Sequence, residues 1–216
     1  MAGSRNNSHR GGPLVVLPRN HWGSRSWISN SRATYSSGGL VSRVIRKSQN
    51  ASASEAATLL SGIFSAEICS PSKCLWLVSP WISDVELLDN SAGDFDSLTR
   101  FGKRGVRLAE VLVTLASHGC HVVVGTTTDG HNVRFLDRIA NLAEDLRLER
   151  KLTLSIDASE NLHTKALTGD DYALAGSMNL TYNGIKVREE FLDLRTEPEF
   201  VAQARMDAFD RFGGEL

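Results

Sequence analysis

Three cysteines in 216 residues are too few for a disulfide-stapled secreted domain, and an odd number cannot all pair. No apolar run approaches the roughly 18–20 residues that cross a bilayer. The N-terminal run LVVL at 14–17 is shorter than the roughly 7–15 residues of a secretory signal core. These absences predict a cytoplasmic protein without membrane insertion. Cysteines and histidines that could be drawn as a zinc site are Cys69, Cys74, His118, Cys120 and His121, but their loose spacing favours buried free thiols at the three cysteines.

Acidic residues are missing from the first 54 positions, which hold eight Lys and Arg. The rest of the chain carries 16 basic and 25 acidic residues, a net charge of −9. This asymmetry predicts a basic Ser- and Arg-rich N-terminal arm over residues 1–50 and a folded domain over residues 51–216. The arm is either a solvated unstructured segment, a phosphate-binding segment or a surface that packs on a partner subunit.

Aromatic residues of the arm lie among arginines. Trp22 and Trp27 flank Arg25, and Arg19 precedes them by a few positions. Such a mixture stacks bases and neutralises backbone phosphates. Arg19 and Arg25 are therefore candidate substrate-binding residues.

From residue 52 onward, helical periodicity alternates with short apolar runs. Helices are predicted over 52–68, 107–119, 132–151 and 198–212, and strands over 74–78, 121–128, 152–158, 163–169, 172–179 and 189–196. The polar stretch 84–103 is predicted to be a loop. This order predicts an α/β protein, a layered α/β/α domain with a central mixed sheet.

The segment 161–185 has a strand–turn–strand pattern that gathers chemically active side chains. Alternate residues of a strand point the same way, so His163 and Lys165 share one face. With the turn centred near Asp171, His163 lies across from Asn179 and Lys165 across from Ser177. One group of this set is a nucleophile or acid, and the other three bind phosphate-type oxygens.

The spacing of these residues resembles the signature of the phospholipase D superfamily: His163-x-Lys165-x4-Asp170-x5-Gly176-Ser177-x-Asn179. The family pattern has about six residues between Asp and Gly-Ser-x-Asn, so this chain is one residue short in the predicted turn, where a deletion costs little. Glu190, eleven residues after Asn179, stands where family members carry a glutamate, with Glu189 as an alternative. The resemblance implies that Glu190 hydrogen-bonds the His163 imidazole and that Asp170 is mainly structural.

The resemblance also implies the fold and the reaction. The fold would be a phospholipase D-like domain, and the reaction would be phosphodiester cleavage with no metal and no other cofactor. His163 would attack phosphorus to form a phosphohistidine, and a second histidine would protonate the leaving oxygen and then activate water. Lys165, Ser177 and Asn179 would bind the non-bridging oxygens.

A second catalytic histidine is needed, but no other histidine of the chain is followed by lysine two positions later. A homodimer would supply it, because a two-fold axis brings the same surface of each subunit together. The single motif therefore predicts a homodimer with one composite site at the interface.

Residues at the ends of two predicted strands are further substrate-binding candidates. Ser79 and Trp81 follow the strand 74–78, and their segment LVSPWI resembles the first core strand of the superfamily. Thr126 lies near the end of the strand 121–128. Such positions often face the ligand in open α/β sheets. Trp81 either packs in the structure or stacks on a base, and the turn after Thr126 either caps the next helix or contacts phosphates.

Nucleic acid, with DNA preferred, is the favoured substrate. The short single-motif chain is like the nuclease branch of the superfamily, and a basic arm suits a polyanion. SPWI and AGSMNLTYNGI are also similar to DpdK-type phospholipase D-like proteins of bacterial DNA-modification and antiviral defence clusters, which implies a helicase or other ATPase partner. Fold alone leaves two alternatives: a phospholipid phosphodiesterase or phosphatidyltransferase, and a non-catalytic assembly subunit of a DNA-processing complex.

Overall fold

The computed structural model describes residues 42–47, 53–159 and 161–216. In these ranges the helices are α1 (Ala53–Cys69), α2 (Leu108–Ser117), α3 (Val133–Asp145) and α4 (Pro198–Phe212). The strands are β1 (Ser42–Lys47), β2 (Cys74–Val78), β3 (Glu86–Asp89), β4 (Gly105–Arg107), β5 (His121–Thr127), β6 (Leu152–Asp157), β7 (Ala166–Thr168), β8 (Ala173–Gly176) and β9 (Glu190–Arg195). Short 3-10 helices lie at Asp96–Phe101, Gly130–Asn132 and Glu149–Lys151, and a π-helical turn at Asn183–Val187.

Seven of the described strands form one mixed sheet in the order β1-β9-β8-β7-β2-β5-β6. Strands β2, β5 and β6 are parallel, and the other neighbours pair antiparallel. Val78, the last residue of β2, pairs with Gly125 of β5 and with Ala166 at the start of β7. The ends of β2 and β5 therefore lie beside the start of β7, and we call this the site end of the sheet.

Helices cover both faces of the sheet. Buried apolar residues recur every fourth position on α1, the spacing of one helical face: Ala56, Leu60, Phe64 and Ile68. In β2, Leu75 and Leu77 pack with α1, α2 and α3, whereas the alternate residue Trp76 packs with Phe212 of α4. This alternation places three helices on one face and α4 on the other. The predicted layered α/β/α domain with a mixed sheet is confirmed.

The predicted loop over 84–103 is wrong in part. It contains β3 and a 3-10 helix, and β3 pairs with β4 in a separate two-stranded sheet. The pattern of the sequence hides these elements because Leu87, Leu88 and Leu98 are the only apolar residues of this polar stretch that are fully buried. A strand with two adjacent apolar residues shows no alternation that could identify it.

The structure places β1, which lies within the predicted N-terminal arm, at the edge of the main sheet, antiparallel to β9. Ile45 and Lys47 of β1 are buried. The rest of the predicted arm, with Arg19 and Arg25, lies outside the described residues. Among the described helices, none is both long and apolar enough to cross a membrane.

Candidate active site

A tight hairpin between β7 and β8 carries the His-x-Lys segment and the Gly-Ser-x-Asn segment to the site end. Gly169 N donates to Tyr172 O over 3.0 Å, which closes a two-residue turn. Gly176 N donates to Lys165 O over 3.2 Å. Lys165 therefore lies across from Gly176 rather than Ser177, and the predicted register is wrong by one residue. The prediction centred the turn on Asp171, whereas this turn is centred between Asp170 and Asp171. Every predicted pair is therefore displaced by one residue.

His163 and Lys165 precede β7, which is shorter than the predicted strand. Leu162 is buried in the cluster beneath α4 and anchors the segment. The His163 side chain is exposed, Lys165 is half-buried, and Lys165 Nζ donates to His163 O over 2.7 Å. The His163 imidazole is therefore accessible, and the Lys165 ammonium is hydrogen-bonded to the backbone of the same short segment.

Gly176, Ser177 and Glu190 lie where the backbones of β8 and β9 come very close. A side chain at position 176 would collide with Phe191 O, so only glycine fits there. Ser177 N donates to Phe191 O, and Phe191 N donates to Ser177 Oγ, each over 2.9 Å. The Ser177 hydroxyl donates in turn to Glu190 Oε2. The carboxylate that the resemblance assigns to the His163 imidazole is bound to Ser177 in this structure.

Ser79 positions Asn179 from beneath the site. Ser79 is 2% exposed, and its Oγ lies 3.2 Å from Asn179 Oδ1 and 2.8 Å from Trp81 O. Leu180 N donates to Ser79 Oγ over 3.2 Å. Ser79 is therefore a positioning residue rather than a surface that substrate touches. Holding Oδ1 orients the Asn179 amide, whose Nδ2 hydrogens are the donors that a phosphate oxygen requires.

Asp170 lies in the hairpin turn, at the end of β7 remote from Lys165. Its carboxylate accepts from Lys73 N over 2.9 Å and pairs with Arg205 over 3.2 Å. These contacts tie the turn to the segment before β2 and to α4. The placement agrees with the structural role that the resemblance implies.

Thr126 and Trp81 differ in their access to solvent. Thr126 is completely buried and its hydroxyl donates to Pro80 O over 3.2 Å, so it is not available to a substrate. This corrects the sequence-based assignment, which could not show that Thr126 faces the Pro80 turn. Trp81 is 41% exposed, and its Nε1 donates to Asp129 Oδ2 over 3.1 Å.

Lys47 is a buried residue near the site that the sequence analysis did not single out. It is 4% exposed, lies opposite Glu190 across β1 and β9, and its Nζ donates to Gly184 O and Ile185 O, each over 2.9 Å. Burial lowers the pKa of Lys47, and the negative charge of Glu190 partly opposes this. The only sequence signal for this position was a short apolar patch in a basic segment.

We expect Lys47→Met to lower the free energy of unfolding by about 1–3 kcal/mol, because two buried carbonyls lose their donor. The wild type should gain stability as pH rises from the lowered pKa of Lys47 toward its ordinary 10.5, since the unfolded chain holds that proton more tightly. The deficit of the variant should therefore grow with pH in urea titrations. Lys186→Met, on the exposed side of the same turn, should change stability by less than about 0.5 kcal/mol. Equal stability of Lys47→Met and wild type would contradict the role given to Lys47.

Comparisons with known proteins identify the fold of the chain. No protein-family model matches the sequence, and no curated protein sequence matches it either. Solved structures do match. Nuc from Salmonella typhimurium, a phospholipase D family member, superposes with a TM-score of 0.51 at 13% identity, over 82% of this chain and 97% of Nuc. The fold is phospholipase D-like.

Two further structures support the phospholipase D-like fold. NucT from Helicobacter pylori has a TM-score of 0.51 at 13% identity, over 80% of this chain and 96% of NucT. Phosphatidylserine synthase from Haemophilus influenzae Rd KW20 has a TM-score of 0.54 at 16% identity, over 81% of this chain and 39% of the synthase. Identities this low show the fold and leave the substrate open.

Proposed function

We propose that the protein is a metal-independent phosphodiesterase that cleaves nucleic acid, with DNA as the favoured substrate. The observation that supports this most directly is the convergence of predicted residues on the site end: an exposed imidazole at His163, an ammonium at Lys165, and an amide at Asn179 held by Ser79. These are a nucleophile and donors for phosphate oxygens, in a fold that is phospholipase D-like.

In the first step, an imidazole nitrogen of His163 attacks phosphorus. A bond forms between nitrogen and phosphorus, the ester bond to the leaving oxygen breaks, and a second histidine gives that oxygen a proton. Lys165 and Asn179 stabilise the negative charge that builds on the non-bridging oxygens. In the second step, the second histidine removes a proton from water, the water oxygen attacks phosphorus, and the bond to His163 breaks.

A second copy of the chain would supply the second histidine. The chain has one His-x-Lys motif, so the site is incomplete without another subunit. Exposed apolar side chains adjoin the site, with Phe191 next to Glu190 and Val187 on the turn before β9. A two-fold dimer formed at this surface would cover them and bring the two His163 side chains to opposite sides of one phosphorus.

The single His-x-Lys motif, which resembles the nuclease branch of the superfamily, favours nucleic acid over phospholipid. The chain spans nearly the whole of Nuc and NucT but only 39% of the phosphatidylserine synthase. The arm sequence, with Arg19 and Arg25 beside tryptophans, also suits a polyanion. We therefore place Arg19 and Arg25 among the proposed DNA contacts.

We also propose a role in a bacterial DNA-modification or defence cluster, with a helicase or other ATPase that delivers the DNA. The segments SPWI and AGSMNLTYNGI favour it, and in the structure they pack together. Ser79 of the first contacts Asn179 of the second, and Ile82 forms a β-bridge with Leu180. The two similar segments thus build one side of the candidate site.

Cleavage assays in excess EDTA test the reaction and the substrate class together. We expect labelled DNA to be cut in EDTA, whereas phosphatidylcholine and phosphatidylglycerol vesicles should release no choline or glycerol. Activity that disappears in EDTA and returns with Mg²⁺ would contradict a metal-independent reaction. Headgroup release without DNA cleavage would favour a phospholipid enzyme, and no reaction with either substrate would favour an assembly subunit.

A further inference from the structure

Two exposed aromatic side chains share a cavity beside the candidate site. Trp81 is 41% exposed and Tyr182 is 64% exposed, and both line a cavity of about 350 Å³ with His131 and Arg188. Exposed aromatic side chains that line one cavity together, unlike single exposed ones, mark a surface that a ligand or partner can cover. The Trp81 indole is also fixed in place, because its N–H donates to Asp129 Oδ2 over 3.1 Å.

This aromatic cavity borders a basic one. A second cavity of about 740 Å³ shares Ser83 and His131 with it and is lined also by Arg107, Arg134 and Arg138. The linings of the two cavities hold four arginines and two aspartates, whereas residues 55–216 as a whole carry a net charge of −9. Arg138 is paired with Asp84 and with Glu110, so the other lining charges are Arg107, Arg134 and Arg188 against Asp129. A local excess of positive charge next to exposed aromatic faces is the pattern of a surface that binds unpaired nucleic acid.

The aromatic cavity is joined to the residues that would hold the reacting phosphate. Trp81 O lies 2.8 Å from Ser79 Oγ, the same atom that contacts Asn179. Thr181 N donates to Asn179 O over 2.8 Å, and Tyr182 is the next residue. A phosphate bound at Asn179 would therefore have its neighbouring nucleotides within reach of Trp81 and Tyr182.

We propose that Trp81 and Tyr182 form a base-stacking subsite for an unpaired nucleic-acid strand, whose phosphates continue along the basic cavity. This inference rests on the proposed function and adds the strandedness of the substrate. Aromatic side chains can stack only on a base whose face is free, and in a duplex both faces are covered by neighbouring base pairs. The subsite therefore selects single strands.

Binding measurements on the full chain carrying His163→Ala test the subsite without cleavage. Labelled oligonucleotides of one length would be compared by fluorescence anisotropy: a single strand, a duplex, and an abasic strand that keeps the phosphates. We expect the single strand to bind about tenfold or more tightly than the abasic strand, because only it can stack. Adding Trp81→Ala with Tyr182→Ala should abolish that preference and leave abasic binding unchanged.

Matched variants distinguish a loss of base stacking from misfolding and from a loss of positive charge. Trp81→Phe with Tyr182→Phe should restore the preference for bases, and Phe200→Ala, an exposed aromatic on α4, should leave it intact. Arg134→Gln should weaken single-strand and abasic binding alike and reduce the salt slope by about one. Arg150→Gln, just before the start of β6 and so remote from the site end, should change neither.

The outcomes distinguish this inference from the proposed function. Base-dependent binding that needs Trp81 and Tyr182 supports the subsite even if the wild-type protein cleaves nothing. If the wild type cleaves DNA but the double alanine variant binds the single strand as tightly as its parent, the subsite is overturned alone. Equal binding of abasic and base-bearing strands, or tighter binding of the duplex, also overturns it.

Discussion

His163→Ala should reduce the rate of DNA cleavage in EDTA by about 10³-fold or more, because the reaction loses the nitrogen that bonds to phosphorus. The variant should fold normally, since the His163 side chain is exposed. Single-turnover cleavage measures the rate. Reactions with a labelled substrate, quenched with denaturant at alkaline pH because a P–N bond to histidine is labile in acid, measure the covalent intermediate. The wild type should accumulate label on the protein, and the variant should carry none.

His118→Ala is the matched control for this experiment. His118 is also exposed, but it follows α2 close to the start of β5, whereas the site lies where β5 ends. This control should cleave at the wild-type rate. His163→Ala with undiminished cleavage, or label that persists on the variant, would contradict a nucleophilic role for His163.

A heterodimer of one wild-type subunit and one His163→Ala subunit should be at least about 100-fold less active than the wild-type homodimer. A composite site needs one His163 as nucleophile and the partner's copy as general acid, so a single alanine removes one role from the shared site. Co-expression with two different affinity tags and tandem purification would isolate the heterodimer. Its rate would be compared with those of the two homodimers under the same conditions.

The heterodimer of wild type with His118→Ala provides the baseline and should be fully active. Half of the wild-type activity in the His163→Ala heterodimer would show that each subunit contains a complete site. Active monomers on dilution would lead to the same conclusion. Either result would require another group of the same chain to act as the general acid.

The hairpin shows how far sequence patterns reach in this protein. The spacing of His163, Lys165 and Asn179 predicts a strand–turn–strand unit that gathers them, and they do lie at the site end. The exact pairing was wrong by one residue, because sequence alone does not reveal whether a turn is centred on a residue or between two. The sequence also could not predict that Glu190 binds Ser177, because this contact depends on how closely β8 and β9 approach at Gly176.

Residue type alone gave a wrong prediction for Thr126, which was assigned to substrate binding, and gave no prediction for Lys47. Thr126 has a hydroxyl near the end of a strand, yet it is completely buried against Pro80 O. Lys47 stands in a basic, polar segment, yet it is buried beneath a turn whose carbonyls it binds. Both outcomes depend on what lies across from the residue, which is a contact between distant parts of the chain.

The sequence by itself determined the four helices, six of the nine described strands, the layered α/β class and the set of chemically active residues around His163. Local periodicity and local spacing are sufficient for these features, because they involve residues a few positions apart. Only the tertiary structure decided which groups are accessible and what they contact: Ser79 beneath Asn179, and Trp81 beside Tyr182 in one cavity. These residues are separated by about a hundred positions, and it is the packing of β2 against β7 that brings their segments together.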